Sequence, residues 1–294
     1  MPPTRMLQFW QREQLQTKDT YPMCSSHPRM TYTKSQVVDN RVLAEQIHEL
    51  IVFWKGPEPQ AGQFFMLKAE RSGVLLGRPI SLFWWEPQAF AETALFQGKL
   101  SFLIAARGRG SRELCELQKG DTIELIGPLG TAWPEPEGSP SSAQAAKAAA
   151  SPPRIALVGG GVGLAPLICL ARTLPPRSYD LYAGFRSEVY GLEGIDPQKL
   201  VIATEDGSHG ERGRIPAFFN PAPYHRVYTC GPEPMLELVS RACQQAGVPC
   251  YVSMERRMAC GVGACLGCTI PTRSGNKRCC VEGPIFDSRE LFYE

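Results

Sequence analysis

The sequence predicts a β-barrel domain, then an α/β domain, then a small cysteine-rich lobe. From Gln36 to about residue 134, short segments rich in β-branched, aromatic and leucine residues follow one another without a long helix between them, which favours a barrel. After residue 154, apolar strands alternate with helical segments, which is typical of a parallel sheet wound by crossover connections. Five of the eleven cysteines then lie between Cys260 and Cys280, the pattern of one metal site in an otherwise reduced protein.

Changes in composition set the boundaries of these parts. Residues 1–32 mix Gln, Pro, Ser, Thr and isolated aromatic residues without a clear period, so they are predicted to be an N-terminal extension. Residues 135–154 are small, polar and proline-rich, as expected of a linker or insertion. The predicted domains are a barrel over 33–134, an α/β domain over 155–250 and the lobe over 251–294.

Composition and charge exclude some broad classes of protein. The chain has 294 residues, 43% of them hydrophobic and 20% charged, and a formal net charge of +2, so nothing favours a nucleic-acid or membrane partner. No stretch approaches the roughly 18 consecutive apolar residues of a spanning helix. A chain of this length holds its fold without disulfides, so its eleven cysteines indicate a reducing, cytoplasmic compartment.

A run of cysteines near the C-terminus has the spacing of a metal site. Cys260, Cys265 and Cys268 have four and then two residues between them, and Cys280 follows after eleven more. This order matches the C-x4-C-x2-C…C spacing of a [2Fe-2S] cluster, and the glycines within it let backbone amides turn towards the sulfur atoms. A structural zinc is the alternative, but it favours two separated C-x2-C pairs, whereas this run has one. Cys279 adjoins Cys280, and spacing alone does not say which is the fourth ligand.

A glycine-rich turn follows the first strand of the predicted α/β domain. The segment IALVGGGVGLAPLICLA is an apolar strand, a glycine turn and a helix, whose N-terminal amides and dipole can receive a diphosphate. Many such turns merely close a βα connection, but here strand, turn and helix occur in the required order within a βαβ pattern. The candidate binding residues are Gly159, Gly160, Gly161 and Gly163.

Two later loops, TEDGSHGERG and CGPEPM, follow predicted strands at the edge where open α/β sheets bind ligands. The second loop makes Cys230, followed by Gly231 and Pro232, a candidate beside a bound nicotinamide. The alternative is a small buried side chain that closes a strand. The segment AGFRSE offers Arg186 to a 2′-phosphate and Glu188 to a ribose diol, so it leaves NADP and NAD both open.

Two short motifs in the barrel region can together neutralise a diphosphate. GRPISLF places Arg78 and Ser81 three residues apart on one strand, and a second loop reads Gly108-Arg109-Gly110-Ser111. An arginine and a glycine turn are a suitable pair of groups for this anion. The alternatives are a surface arginine, a capping serine and an ordinary turn, and spacing alone does not choose between these interpretations.

In their order along the chain, these motifs are similar to those of the electron-transfer subunits of bacterial dihydroorotate dehydrogenases, within the ferredoxin-reductase-like superfamily. The resemblance runs from about Gln36 to the C-terminus and includes the closing run KRCCVEGPIFDSREL. The other matching motifs are Arg78-Pro79-Ile80-Ser81, Gly108-x-Gly110-Ser111, Gly127-Pro128-Leu129-Gly130, Gly159 to Pro166, Cys230-Gly231-Pro232 and Glu255-x-x-Met258-x-Cys260. The departures are the extension, the insertion and Ser111, where threonine is commoner.

The resemblance implies a barrel that binds FAD, a nucleotide domain for NAD(H) and a [2Fe-2S] lobe that faces a catalytic subunit carrying FMN. It implies that Arg78 pairs with the FAD diphosphate and that Ser81 lies near the isoalloxazine N5. The family's closing motif is similar to Lys-Arg-Val-Cys, which selects Cys280 as the fourth ligand beside Cys260, Cys265 and Cys268. The expected cofactor-binding residues are Arg78, Pro79, Ile80, Ser81, Gly108, Gly110, Ser111, Gly159, Gly160, Gly161, Gly163, Cys230, Gly231 and Pro232.

The activity implied by the resemblance is electron transfer from the partner's FMN, through [2Fe-2S] and FAD, to NAD⁺ in pyrimidine biosynthesis. The expected assembly is a heterotetramer with two copies of each subunit. No residue is expected to act as a general acid or base, because aligning the cofactors is the main task of such a protein. Two alternatives remain: a subunit with the same cofactors in a sulfhydrogenase or ferredoxin-dependent transhydrogenase, and a zinc-stabilised scaffold without enzymatic activity.

Overall fold

The computed structural model describes residues 30–88, 96–135 and 154–292. Within these ranges the chain forms a closed β-barrel, a seven-stranded sheet and a two-stranded hairpin. Of the predicted extension over 1–32, residues 1–29 lie outside the described residues, and so do residues 136–153 of the predicted insertion over 135–154. Thr31 and Tyr32 already belong to the first strand, so the barrel begins slightly before the predicted boundary. The predicted fold class, a barrel followed by an α/β domain and a small lobe, is confirmed.

Six antiparallel strands close the barrel in the order β1-β2-β5-β4-β3-β6. They are β1 (Thr31–Ala44), β2 (Ile47–Gly56), β3 (Phe64–Ala69), β4 (Arg78–Pro87), β5 (Phe96–Ala105) and β6 (Thr122–Leu129). The apolar stretch that begins at Gln36 becomes two strands because the chain turns back at Gln46, whose φ is 60°. Edge-to-face contacts fill the interior, with ring centroids 5.1 Å apart for Trp54 and Phe65 and 5.6 Å apart for Phe65 and Phe102.

A short helix, α1 (Arg109–Cys115), connects β5 to β6 and buries Leu114 in the barrel core. The last carbonyls of a helix lack partners within the helix itself. Here Asn40 of β1 supplies the missing donor. Its Nδ2 donates to the carbonyls of Leu114, Cys115 and Leu117 at 3.2, 3.0 and 2.8 Å. One side chain of the barrel therefore fixes the end of a helix whose first turn carries a predicted cofactor motif.

The α/β domain is built on parallel strands in the order β10-β9-β8-β7-β11-β12. These are β7 (Ile155–Gly160), β8 (Tyr179–Phe185), β9 (Lys199–Thr204), β10 (Glu211–Arg212), β11 (Arg226–Cys230) and β12 (Cys250–Ser253). The predicted parallel sheet is confirmed, with one addition at its edge. The chain returns from the cysteine-rich lobe as β15 (Ile285–Asp287), which pairs with β12 in the antiparallel direction.

Helices flank this sheet where the sequence predicts them. All eight residues of α2 (Leu164–Ala171) are buried, because it lies between the sheet and strand β4 of the barrel. In contrast, α3 (Glu233–Gln245) buries only one face, and α4 (Ser288–Leu291) is a single turn after β15. Short 3₁₀ turns occupy Gly161–Gly163 and Ile215–Phe218. None of the helices in the described ranges is long and apolar enough to cross a membrane.

One apolar core runs through both domains. It passes from the barrel interior through α2 to the sheet, so that Phe102 and Tyr228 belong to the same cluster of buried side chains. The segment that leaves the barrel adds hydrogen bonds to this core. Nε1 of Trp133 donates to the Pro166 carbonyl at 2.9 Å, and the Tyr228 hydroxyl donates to the Pro134 carbonyl at 2.8 Å.

Polar contacts add to the junction between the domains. The guanidinium of Arg172, just after α2, lies over the rings of Phe83 and Trp84 in β4, at 4.7 and 5.3 Å from their centroids. Oε2 of Glu188, which follows β8, accepts a hydrogen bond from the backbone amide of Glu45 in the barrel at 2.7 Å. The two domains are therefore packed against each other over α2 and strand β4.

The cysteine-rich lobe rests on both domains. It contains the hairpin β13 (Thr269–Thr272) and β14 (Gly275–Arg278) and ends in β15 at the edge of the sheet. It also meets the barrel, because the amide of Thr131 donates to the Gly283 carbonyl at 2.7 Å. A Cβ atom added to Gly130, whose φ is 73°, would lie 2.5 Å from Cδ of Pro284. A glycine therefore allows the close contact between the lobe and β6.

Candidate functional site

The two predicted diphosphate motifs of the barrel meet in space. Arg78 begins β4, and a Cβ atom added to Gly110 would lie 2.5 Å from its Nε. Nη1 of Arg78 donates to the carbonyls of Leu76 and Gly77 at 3.2 and 3.3 Å, which holds the guanidinium beside α1. The structure thus joins a fixed cation to a glycine turn, and this donor set suits a diphosphate.

Ser111 shapes that turn. Its Oγ accepts hydrogen bonds from the amides of Arg107 and Gly108, both at 3.0 Å, and donates to the Gly108 carbonyl at 3.0 Å. The remaining residues of the β4 motif, Pro79, Ile80 and Ser81, are only half-buried. The next two residues along β4 are fully buried, so this motif lies at the open end of the strand, beside the turn.

The glycine loop and the Cys230 loop form one cradle at the carboxyl ends of β7 and β11. A Cβ atom added to Gly163 would lie 2.6 Å from Cα of Gly231, and one added to Gly160 would lie 3.1 Å from Cδ of Pro232. Side chains at these positions would fill the space over the backbone. The bare backbone therefore fits the close approach of a dinucleotide diphosphate, at the edge where such sheets bind ligands.

The other two glycines of the loop have different surroundings. A Cβ atom added to Gly159 would lie 2.5 Å from Cδ2 of Leu164, so this glycine lets α2 pack closely on β7. Gly161 has a φ of 58°, in the left-handed region that favours glycine, and the hydroxyl of Tyr190 lies 3.7 Å from its added Cβ. Gly159 and Gly160 therefore end β7, and Gly161 and Gly163 lie in the 3₁₀ turn that leads into α2, so the four predicted glycines occupy one connection of the chain.

Cys230 is fully buried at the end of β11. Burial raises the pKa of its thiol well above the ordinary value, and the charge of Glu255 adds to this effect. Glu255 itself is exposed, yet the surrounding protein removes enough water to raise its pKa, against the opposing charge of Arg107. Burial also raises the pKa of Tyr190 to about 12, and Arg107 again opposes the shift.

Sequence reasoning missed Arg107 and Tyr190, because no motif marks a lone arginine or tyrosine in a loop. It quoted Glu255 within a matching motif but gave it no role. The structure also bears on the two candidates for ribose recognition after β8. Glu188 is engaged with the backbone of Glu45 in the barrel, whereas Arg186 is exposed at the carboxyl end of β8, where a nucleotide is expected.

The four predicted metal ligands stand as two pairs. Sγ of Cys268 and Sγ of Cys280 lie 3.3 Å apart, and both side chains are buried. Cys260 and Cys265 are also neighbours, since the amide of Cys265 donates to Sγ of Cys260 at 3.4 Å, and Cys265 is exposed. No group of three or more potential ligands among the described residues is arranged to hold a single metal ion. Two pairs of thiols suit the two irons of a [2Fe-2S] cluster better than one tetrahedral zinc.

Backbone amides surround the first of these pairs. Sγ of Cys260 accepts hydrogen bonds from the amides of Val262 and Cys265, both at 3.4 Å, and the amide of Ala264 between them also favours the thiolate. Burial alone would raise the pKa of Cys260, but these donors outweigh it and lower the pKa to about 7. The loop is therefore built to stabilise a thiolate, the form of cysteine that binds metal.

Cys279 and Cys280 face different surroundings. Cys280 meets Cys268, whereas Sγ of Cys279 is fully buried and points to the Met254 carbonyl at 3.9 Å. Burial raises the pKa of Cys279 to about 12. The adjacent side chains thus point away from each other, as expected of neighbours in an extended segment.

The cysteine loop lies close to the strand that carries Arg78. A Cβ atom added to Gly261 would lie 2.6 Å from Cγ of Met66 in β3, and Met66 pairs with Pro79 in β4. Neighbouring strands are about 4.8 Å apart, so a single strand separates the cysteine loop from the predicted FAD motif.

A closed antiparallel barrel, a glycine-loop sheet and a cysteine-rich lobe, in this order, define a protein of ferredoxin-reductase-like fold. Residues 255–292 match the model of the iron-sulfur cluster binding domain of dihydroorotate dehydrogenase B. The electron transfer subunit of NAD(+) dihydroorotate dehydrogenase B from Clostridium acetobutylicum is 36% identical over 263 residues, which cover 88% of this chain and 97% of that protein. The corresponding subunit from Listeria innocua is 31% identical and covers 89% and 99% of the two chains.

The chain belongs to the family of electron transfer subunits of NAD(+) dihydroorotate dehydrogenase B. Solved structures agree with the fold. A structure of NADH-dependent reduced ferredoxin-NADP oxidoreductase aligns with a TM-score of 0.69 at 24% identity, over 87% of this chain and 89% of that chain. A ferredoxin NADP+ reductase from Neisseria gonorrhoeae, solved with FAD and NADP, aligns at 0.52 with 18% identity, over 78% and 95%.

Proposed function

We propose that this chain carries electrons from the FMN of a dihydroorotate dehydrogenase catalytic subunit to NAD⁺. FAD in the barrel, NAD(H) on the sheet and a [2Fe-2S] cluster in the lobe would supply hydride chemistry on one side and single-electron transfer on the other. The domain division into 33–134, 155–250 and 251–294 matches these three cofactors and is part of the proposal.

The residues of the chain would bind and align these groups. Arg78 and the turn from Gly108 to Ser111 would hold the FAD diphosphate, with Ser81 near the flavin ring. The cradle of Gly160, Gly163 and Gly231 would receive the diphosphate of the nicotinamide nucleotide. The neutral thiol of Cys230 and the carboxyl of Glu255 would border the nicotinamide, so no group there needs to ionise for the hydride to move.

The contact between Gly261 and Met66 is the observation that carries this proposal. It presses the cysteine loop on β3, one strand away from the predicted FAD motif. A cluster held by Cys260, Cys265, Cys268 and Cys280 would therefore lie beside the flavin end of the barrel.

An exposed part of the same loop is consistent in its chemistry with contact to a partner subunit. Cys265 is exposed, and the neighbouring Leu266 leaves 61% of its surface exposed. An apolar side chain beside an exposed metal ligand suits contact with another protein, through which electrons would enter. We propose that this partner carries FMN, that the assembly contains two copies of each subunit, and that it works in the cytoplasm. The last point rests on the ten described cysteines, which are all free.

Co-expression with an FMN-containing dihydroorotate dehydrogenase catalytic subunit tests the function. The complex, purified anaerobically, should contain about two irons and one FAD per copy of this chain and should form orotate with NAD⁺ as the acceptor. Reduction of ferredoxin instead, without orotate formation, would favour the transhydrogenase alternative. Zinc in place of iron would favour the scaffold.

Two neighbouring cysteines give a matched pair of variants for the cluster. Cys280→Ser removes a thiolate that faces Cys268, so the reduced protein should lose its S = 1/2 resonance and most of its iron. Cys279→Ser changes a buried thiol that faces a backbone carbonyl, so both signals should stay. Equal loss in the two variants would contradict the proposed ligand set. Iron analysis and electron paramagnetic resonance (EPR) measure both outcomes.

A further inference from the structure

The peptide unit between Gly263 and Ala264 connects two parts of the cysteine lobe. Its N–H group, that of Ala264, lies along the chain between the amides of Val262 and Cys265, which both donate to Sγ of Cys260 at 3.4 Å, and it too helps to lower the pKa of that thiol. Its carbonyl, that of Gly263, accepts a hydrogen bond from Nη1 of Arg278 at 3.3 Å. Because the two ends of one peptide unit point in opposite directions, a donor that fixes the carbonyl also fixes the direction of the amide.

The guanidinium of Arg278 is held in place by Glu282. Nε donates to the two carboxylate oxygens of Glu282 at 3.2 and 3.1 Å, and Nη2 donates to the same carboxylate. Glu282 also accepts from the backbone amide of Arg278 at 2.7 Å. A fork of this kind fixes the plane of the guanidinium, which leaves Nη1 directed at the cysteine loop.

The backbone on both sides of this contact is tightly arranged. The Arg278 carbonyl accepts from the amides of Val281, Glu282 and Gly283 at 3.1, 2.9 and 3.3 Å, which closes the turn around Cys280. Gly263 has a φ of 82°, and its added Cβ would lie 2.6 Å from Cγ2 of Val281. The glycine therefore lets the loop with the first three cysteines press against the turn with the fourth.

We propose that Arg278 is a positioning residue for the iron-sulfur cluster: it holds the Gly263–Ala264 peptide unit so that the amides from Val262 to Cys265 face the Cys260 sulfur, and it thereby raises the reduction potential of the cluster. The inference rests on the proposed function, because it needs a cluster at these cysteines. A hydrogen bond to a ligand sulfur favours the reduced cluster, which carries one more electron. The carboxylate of Glu282 offsets the positive charge of Arg278. The reduction potential should therefore depend more on the direction of the backbone hydrogen bonds to Cys260 than on the charge of Arg278.

Two substitutions of Arg278 separate the effect of hydrogen-bond direction from the effect of its charge. Arg278→Lys keeps the charge but lacks the planar fork, and Arg278→Gln lacks both. The proposal predicts that both variants shift the one-electron reduction equilibrium about tenfold towards the oxidised cluster. This shift corresponds to a reduction potential about 59 mV more negative. If charge alone mattered, Arg278→Lys would titrate like the unmodified protein and only Arg278→Gln would shift. That result would overturn the proposal.

The measurement is an EPR-monitored redox titration of the full chain with iron and FAD bound. Arg241→Lys is the matched control, because Arg241 and Glu237 form a pair of the same i,i+4 spacing on α3, at 3.1 Å. The reduction potential of the Arg241→Lys variant should equal that of the unmodified protein. A wild-type protein without iron or resonance would refute the proposed function, whereas a normal resonance with no shift in either Arg278 variant would refute only this inference.

Glu282→Gln keeps the test decisive if the Arg278 variants lose their iron. The carboxamide still accepts a hydrogen bond from Arg278 but cannot hold both arms of the fork. Loosened positioning should make the potential more negative. Removal of a nearby negative charge by itself would make it more positive, so a positive shift or none would overturn the proposal.

Discussion

At the scale of single residues, the surroundings of Cys260 and Cys230 shift the pKa of a thiol in opposite directions. Three backbone amides face the sulfur of Cys260 and lower its pKa to about 7. Cys230 is fully buried at a strand end, where burial and the charge of Glu255 raise its pKa. The first arrangement suits a metal ligand, and the second suits a neutral group beside a hydride acceptor.

These two thiols should react differently in protein from which iron has been removed. At pH 8, iodoacetamide should modify Cys260 and leave Cys230 unmodified, because Cys260 is only partly buried and forms a thiolate, whereas Cys230 is buried and neutral. The rate at Cys260 should fall about tenfold for each pH unit below about 7, as the thiolate is protonated. Peptide mass spectrometry measures both sites, and buried Cys169 serves as a second unreactive control. Equal modification of Cys230 and Cys260 would contradict this account.

The sequence was sufficient to find the motifs but not the contacts of each residue. The spacing from Cys260 to Cys268 predicts the iron-sulfur site, because these three cysteines lie close together in the sequence, within one loop. The fourth ligand needed the resemblance, since Cys279 and Cys280 differ only in what they face. Glu188 was one of two residues considered for ribose binding, but its partner is an amide 143 positions away, which no local pattern indicates.

At the scale of secondary structure, Asn40 shows how a strand fixes a helix. Its amide group donates to three carbonyls at the end of α1. Asn40→Ala should lower the free energy of unfolding by about 1 to 3 kcal/mol, because these carbonyls lose their donor in a partly buried place. FAD affinity should fall as well, since α1 begins in the turn that we propose to bind the FAD diphosphate. Urea unfolding and flavin titration measure these effects.

The adjacent residue provides the control. Asp39 forms an exposed ion pair with Arg41 at 2.6 Å, so Asp39→Ala should change stability by less than about 1 kcal/mol. A similar loss in both variants would show that the cap contributes nothing specific. Sequence reasoning predicted segments that overlap β1–β9 and β11, and helical segments at α2 and α3, because each has its own periodicity; it did not predict β10 or β12–β15. It could not predict a cap whose donor comes from a strand about 70 residues earlier.

At the scale of the whole molecule, one continuous core predicts that the barrel and the sheet unfold together. Arg172 lies at their junction, over two aromatic rings of β4, and burial lowers its pKa. Arg172→Met keeps an apolar stem but removes the cation, so stability should fall by about 1 to 2 kcal/mol with a single transition retained. Calorimetry tests this, and Arg241→Met is the exposed control. Two separate transitions in the unmodified protein would contradict the shared core.

The edge strand β15 has a consequence beyond the redox site. A bare strand edge is a template on which other chains can stack, and proteins commonly cover or shorten it. At one side of this sheet the last strand, β10, has only two residues, and at the other β15 shields β12. Because β15 comes from the lobe that binds iron, the metal-binding segment also guards against aggregation. Chains that lose iron and let this lobe fray would expose β12 and become prone to self-association.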